Sequence, residues 1–217
     1  MTDTGWFLLA PVLVAIAGLL AHRRWRHVEV GSGLARAMLI LVTIGAALGA
    51  PLWWAGAPSA FPWILPPLAG RMLGAAAVAF AVLGLRVLEG PTSARVGLLA
   101  VATEVYMVPL VVAILALHLD RFDWTRPVTF GFFTLATVLV LGIAPSVRRD
   151  RDAPAPEPMI AGMFLGYAAV YAVTALALFL VPTAKWPALF PWANDPLTSR
   201  LIAVMPATLA VVFALAA

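Results

Sequence analysis

Apolar runs long enough to cross a bilayer follow one another along this chain, separated only by short polar gaps. They cover about residues 6–21, 34–54, 70–88, 96–118, 128–145, 159–181 and 200–217. A helix rises 1.5 Å per residue, so about 20 apolar residues match a hydrocarbon core about 30 Å thick. Only 11% of the residues are charged and 63% are hydrophobic, whereas a soluble domain keeps roughly a quarter of its residues charged. The expected fold class is all-α: a polytopic membrane helical bundle of seven transmembrane helices, forming one integral membrane domain over residues 1–217. Its first partner is the lipid bilayer.

The net charge of +4 does not point to nucleic acid, because the arginines sit in short loops and build no continuous basic face. Lys185 is the single lysine, and cysteine is absent, which excludes disulfides, thiolate chemistry and Cys-ligated metal centres. The first run carries its positive charge after the apolar stretch, in HRRWR, the wrong side for a cleavable signal. It reads as a retained helix.

One short segment occurs twice. PSAFPWILPPLAGR (Pro58 to Arg71) and PALFPWANDPLTSR (Pro187 to Arg200) agree at seven of fourteen positions at an offset of 129, among them Trp63/Trp192, Pro67/Pro196 and Arg71/Arg200. A weaker match at an offset of 126 relates Gly5–Arg26 to the stretch from Gly131, pairing Phe7/Phe133 and Arg23/Arg149. The expectation is two copies of a three-helix unit, repeat A over about 5–88 and repeat B over about 128–217. A linker helix over about 96–118 supplies the extra crossing that starts both copies in the same direction. This is a 3+1+3 parallel pseudo-repeat about the membrane normal.

Direction follows from the basic residues. Arg23, Arg24, Arg26, Arg36, Arg86, Arg95, Arg148, Arg149 and Arg151 fall on one side, and Arg71, Arg121, Arg126, Lys185 and Arg200 on the other. The positive-inside rule puts the first set in the cytoplasm, with the N-terminus outside and the C-terminus inside. Seven of the eight tryptophans then lie at the external boundary, Trp25 alone being internal. Within each repeated segment, proline suits the first turn of a helix, and Arg71 and Arg200 can snorkel to headgroups. Trp63, Trp192, Arg71 and Arg200 thus make a candidate external aromatic rim, read either as a repeated anchor or as a ligand-facing pair.

FPWILPPLAGRMLG, together with RFDWTRP after the fourth run, resembles a group of bacterial multi-pass membrane proteins that share an aromatic-Pro-Trp, Pro-Leu, Arg pattern at the start of the corresponding helix. The resemblance covers about residues 60–145. It implies a bacterial cytoplasmic (inner) membrane location and carries no activity with it.

Glu104 is the acidic residue well inside a run, about eight residues from its cytoplasmic end. A carboxyl there costs about 2.5–3.5 kcal/mol on insertion scales, so it should face the bundle. Tyr167 and Tyr171 enter from the same side, and the three form a candidate intramembrane polar site. It is either a hydrogen bond that fixes packing, with Arg86 as another partner, or a protonatable group. His22 and His27 lie at the cytoplasmic edge and His118 at the external end of the fourth run, and no two face each other at matching depth, so no haem or metal cofactor is expected. Gly45/Gly49 and Gly70/Gly74 read as small-residue faces for close helix approach.

No reactive set for an enzyme stands out. Two functions remain: a structural or accessory subunit that contacts other membrane subunits, and a small-solute transporter, since SWEET-type sugar carriers share the 3+1+3 topology. A retinal protein is excluded by the lack of a lysine in the seventh run.

Overall fold

Inside a bilayer each backbone N–H and C=O must be bonded within its own segment, so isolated runs of this apolarity can only be helices. The computed structural model describes residues 16, 20, 23–25, 33–57, 60–144, 156–181 and 195–217. Among these it has six α-helices, one 3-10 turn and no strand. The helices are α1 (Gly33–Trp54), α2 (Pro67–Glu89), α3 (Ser93–Leu117), α4 (Pro127–Ile143), α5 (Pro158–Leu180) and α6 (Pro196–Ala216).

Five of them, all but α4, are long and apolar enough to cross a membrane. The protein is therefore a helical, multi-pass membrane protein. The seven spans read from the sequence are not reached among the described residues. α4 has 17 residues, from Pro127 to Ile143, about 25 Å at the helical rise. The run over 6–21 lies outside the described residues apart from Ile16 and Leu20, and so does Trp192 with its pairing to Trp63.

Helix starts follow directly from residue type. Proline occupies the first turn of α2, α4, α5 and α6, where its missing N–H is no loss. Thr92 caps α3 by accepting from Arg95 N at 3.2 Å, and Asp195 caps α6. Threonines within the helices turn their hydroxyls onto the carbonyl four residues back: Thr43 on Leu39, Thr103 on Leu99 and Thr208 on Val204. That satisfies a polar group where lipid cannot.

Two helix pairs pack most extensively, α1 with α2 and α5 with α6. The α1–α2 crossing depends on glycine. A Cβ on Gly70 would come within 2.9 Å of Trp53 O, and one on Gly74 within 3.0 Å of Ala50 O; one on Gly84 would strike Thr43. Backbones this close are the use of small residues in membrane helices. Gly45 and Gly49 do not act this way: Gly45 faces open space and Gly49 makes room for the Trp53 ring of its own helix. In the α5–α6 crossing the matching contact is a hydrogen bond, Ser199 Oγ donating to Leu178 O at 2.7 Å. α3 lies chiefly against α6, and α4 touches α1 and α3.

Candidate functional site

The ends of α1 and α3 and the starts of α2, α4 and α6 meet at one end of the bundle, and here the aromatic residues gather. Phe61 and Trp63 pack edge to face at 4.3 Å, Trp63 reaches Phe122 at 5.3 Å, and both Phe61 and Trp63 lie 6.0 Å from Phe132. Trp53 donates to Ala60 O at 3.0 Å, which ties the segment back to α1. Trp63 is buried, at 6% exposure, and its indole N–H has no hydrogen-bond partner among the described residues. It is a core side chain, not a free surface for a ligand or partner. Its place at the rim is taken by Trp54 and Trp124, both exposed.

The two arginines of the repeated segment differ. Arg71 is exposed, with no hydrogen-bond or ion-pair partner among the described residues. Arg200 is half-buried: its Nη1 meets His118 Nε2 at the end of α3, and its guanidinium lies 5.9 Å from the Phe179 ring at the end of α5. A guanidinium only donates, so His118 Nε2 is the acceptor and the ring is neutral with its proton on Nδ1. Burial holds the His118 pKa below its usual value, and Arg200 adds to this. Asp195 and Asp120 pull the other way, and Arg121 lowers it further. Asp195 accepts from Leu197 N at 3.0 Å, Thr198 N at 3.2 Å and Thr198 Oγ1 at 2.6 Å. The cluster pins the end of α3 to the first turns of α6.

In the neighbouring loop Asp123 accepts from Thr125 N at 2.9 Å and from Thr125 Oγ1 at 2.6 Å. Those two bonds hold its carboxyl below the usual range.

The intramembrane candidates do not come together as the sequence suggested. Tyr167 and Tyr171 line up on Phe213 of α6, at 5.5 and 5.8 Å, and Phe164 joins them at 5.7 Å. Glu104 is half-buried, and its Oε1 is buried without a hydrogen-bond partner among the described residues. The tyrosine near it in sequence is Tyr106, which sits 5.3 Å from Phe80 in the core between α2, α3 and α6 and has an unpartnered hydroxyl. Two residues apart on a helix point to nearly opposite faces, so Glu104 and Tyr106 are separate buried polar groups on α3.

Among the described residues no three His, Asp or Glu side chains come together as a metal-binding group. A shallow, open apolar groove runs between Leu41 of α1 and Pro127, Phe130, Leu135 and Val138 of α4. No family model, curated protein or solved structure matches the chain.

Two features escaped the sequence reading: the Arg200–His118 contact and the burial of Tyr106. Both depend on which helices are neighbours. The available signal was that His118 and Arg200 sit at the same end of two runs, each the polar residue at its boundary.

Proposed function

We propose that the protein is a structural or accessory subunit of an assembly in the bacterial cytoplasmic membrane. It is built as a seven-span 3+1+3 parallel repeat with its N-terminus outside and its C-terminus inside. The repeat is supported by the shared register of α2 and α6. Both open on the proline of the repeated segment, and Ala69/Thr198, Gly70/Ser199, Leu73/Ile202, Gly74/Ala203 and Ala81/Ala210 are buried in pairs.

The observation that carries the accessory reading is how the contact between the two helix pairs is filled. Ala69, Leu73, Leu178, Ile202 and Ala203 meet there, each at 4% exposure or less. In transporters made of repeats the solute site lies at that interface. Here apolar side chains occupy it.

A transporter remains the second reading, favoured by the buried, unpartnered Glu104 Oε1 and Tyr106 hydroxyl on α3, since intramembrane carboxyls mark ion and solute paths. Purification of the tagged full chain from its native membrane separates the two. The accessory reading expects a stoichiometric protein partner. A monomer that binds a solute specifically, with binding abolished by Glu104→Gln, would replace it with the transporter.

A further inference from the structure

Glu104 lies near the middle of α3 (Ser93–Leu117), about 16 Å along the axis from one end and about 20 Å from the other. Its Oε1 is buried with no hydrogen-bond partner among the described residues. A carboxylate only accepts, so at this depth it needs a donor or a cation beside it. The helices packed on α3 are α6, α4 and α2, and none supplies one. α4 has no charged residue. The one charge of α6, Arg200, is held against His118 at the far end of α3. On α2, Arg71 stands near the start, and Arg86 pairs with Glu89 in the last turn at 3.9 Å. Arg95 of α3 itself donates to Gly90 O at 2.8 Å. All these charges lie at helix ends.

The neighbouring hydroxyls do not help. Thr103 gives its proton to Leu99 O at 2.8 Å, and Tyr106 turns to nearly the opposite face, beside Phe80. The backbone is short of donors as well: Pro109 has no N–H, so Val105 O lacks its helical partner. The first apolar run cannot make up the deficit. Residues 6–21 carry no charge and, after Trp6 at their start, no side chain that hydrogen-bonds. The other residues outside the described set belong to the polar gaps or precede the first run.

We propose that Glu104 is a proton-binding site inside the membrane, occupied at neutral pH, where the carboxyl is held as the neutral acid. A neutral acid has an O–H to give to a backbone carbonyl, as Thr43, Thr103 and Thr208 do. It also avoids an unpaired charge in the hydrocarbon. A metal ion does not take the proton's place, because it would need several oxygen ligands. Among the described residues no three His, Asp or Glu side chains come together. The proposal goes beyond the accessory reading, since the site needs neither a partner protein nor a solute.

Infrared spectroscopy of the full chain in lipid bilayers tests it. A protonated carboxyl shows a carbonyl stretch at higher frequency than the amide band, and a carboxylate shows none there. An ordinary glutamate, with a pKa of about 4.3, is protonated in about one molecule in 500 at pH 7, so the band reports the site and not the residue type. The other glutamates, Glu29, Glu89 and Glu157, lie outside the apolar runs. Heavy-isotope labelling of the glutamate carboxyl carbons should therefore move one such band to lower frequency at pH 7. Alkaline pH should remove it, return to pH 7 should restore it, and Glu104→Gln should abolish it. The isotope shift and the titration are read on the parent chain, so they do not depend on how well the variant folds. No labelled acid band at pH 7 overturns the proposal, as does a band that survives Glu104→Gln. A band that alkaline pH never removes marks a permanently neutral packing group and overturns it too. The accessory reading is left to its own test, copurification of a partner.

Discussion

The pair α1–α2 and the pair α5–α6 solve the same packing problem with different chemistry. Each has a helix that opens on proline four residues after a Phe-Pro-Trp and buries the same register against its neighbour. In the first pair the crossing is closed by glycine, with Gly70 against Trp53 O. In the second, Ser199 at the matching position reaches Leu178 O with a hydrogen bond. The larger difference lies outside the crossings. α3 lies chiefly against α6, so Arg200 has His118 while Arg71 stays open. The two segments share what the backbone dictates, the proline start and the small-residue stripe, and differ where a third helix covers one of them.

The sharpest way to break this comparison is to truncate the matched leucines. Leu197 is 1% exposed under α3 and Leu68 is 38% exposed. Leu197→Ala should cost about 2–3 kcal/mol, the low end for a buried leucine because its alternative surroundings are lipid and not water. Leu68→Ala should cost well under half of that. Reversible unfolding in mixed micelles measures both, and equal losses would mean that the two faces are equally covered.

Next comes the glycine crossing. In Gly74→Val the new side chain meets Ala50 O and Trp54 N, backbone atoms about 3 Å from the Cβ position, and overpacking of this kind costs about 1–3 kcal/mol. A variant as stable as the parent would show that α1 and α2 do not cross this closely.

The helix starts should also differ. Asp195 caps α6 through two backbone N–H groups, and Pro66 at the matching position of α2 makes no side-chain cap. Asp195→Ala should therefore cost about 1 kcal/mol in the same micelle titration. Pro66→Ala removes no cap and should cost less.

The smallest effect is a pH dependence confined to the α3–α6 side. The His118 pKa is lowered in the folded protein, so the unfolded chain binds more protons as pH falls below about 6.5, and stability rises with pH through that window. The contribution is complete above the ordinary histidine value and lost as pH falls through the lowered one. His118→Gln should flatten this slope between pH 5 and pH 7, whereas Arg71→Gln should leave it unchanged. A slope that survives His118→Gln belongs to another group.

Much of this fold is legible in the sequence because membrane helices are set by length and apolarity, and their starts by proline. Pro67, Pro127, Pro158 and Pro196 mark four helix starts that the structure shares. The small face of Gly70 and Gly74 is legible for the same local reason. Lateral arrangement is not. A helix such as α5 is apolar all round, so no stripe announces which side meets a neighbour. Trp63 looked like a rim residue because tryptophan favours interfaces, but the chain folds it beneath Phe61 and Phe122. Glu104 stood out as a lone carboxyl, yet its proposed partner Tyr167 lies against Phe213, and Tyr106 is the buried phenol of α3.

The central claim is that the two Phe-Pro-Trp segments are copies lying on one side of the membrane, which requires the short helix α4 to cross. Cysteine is absent from the chain, so single cysteines at the matched positions Ile64 and Ala193 can be labelled cleanly with a membrane-impermeant maleimide on intact cells. Four crossings between them, α2 to α5, predict that both label from outside, with Arg95→Cys protected until the membrane is opened. If Ile64→Cys and Ala193→Cys label from opposite sides, α4 does not span and the parallel duplication is wrong.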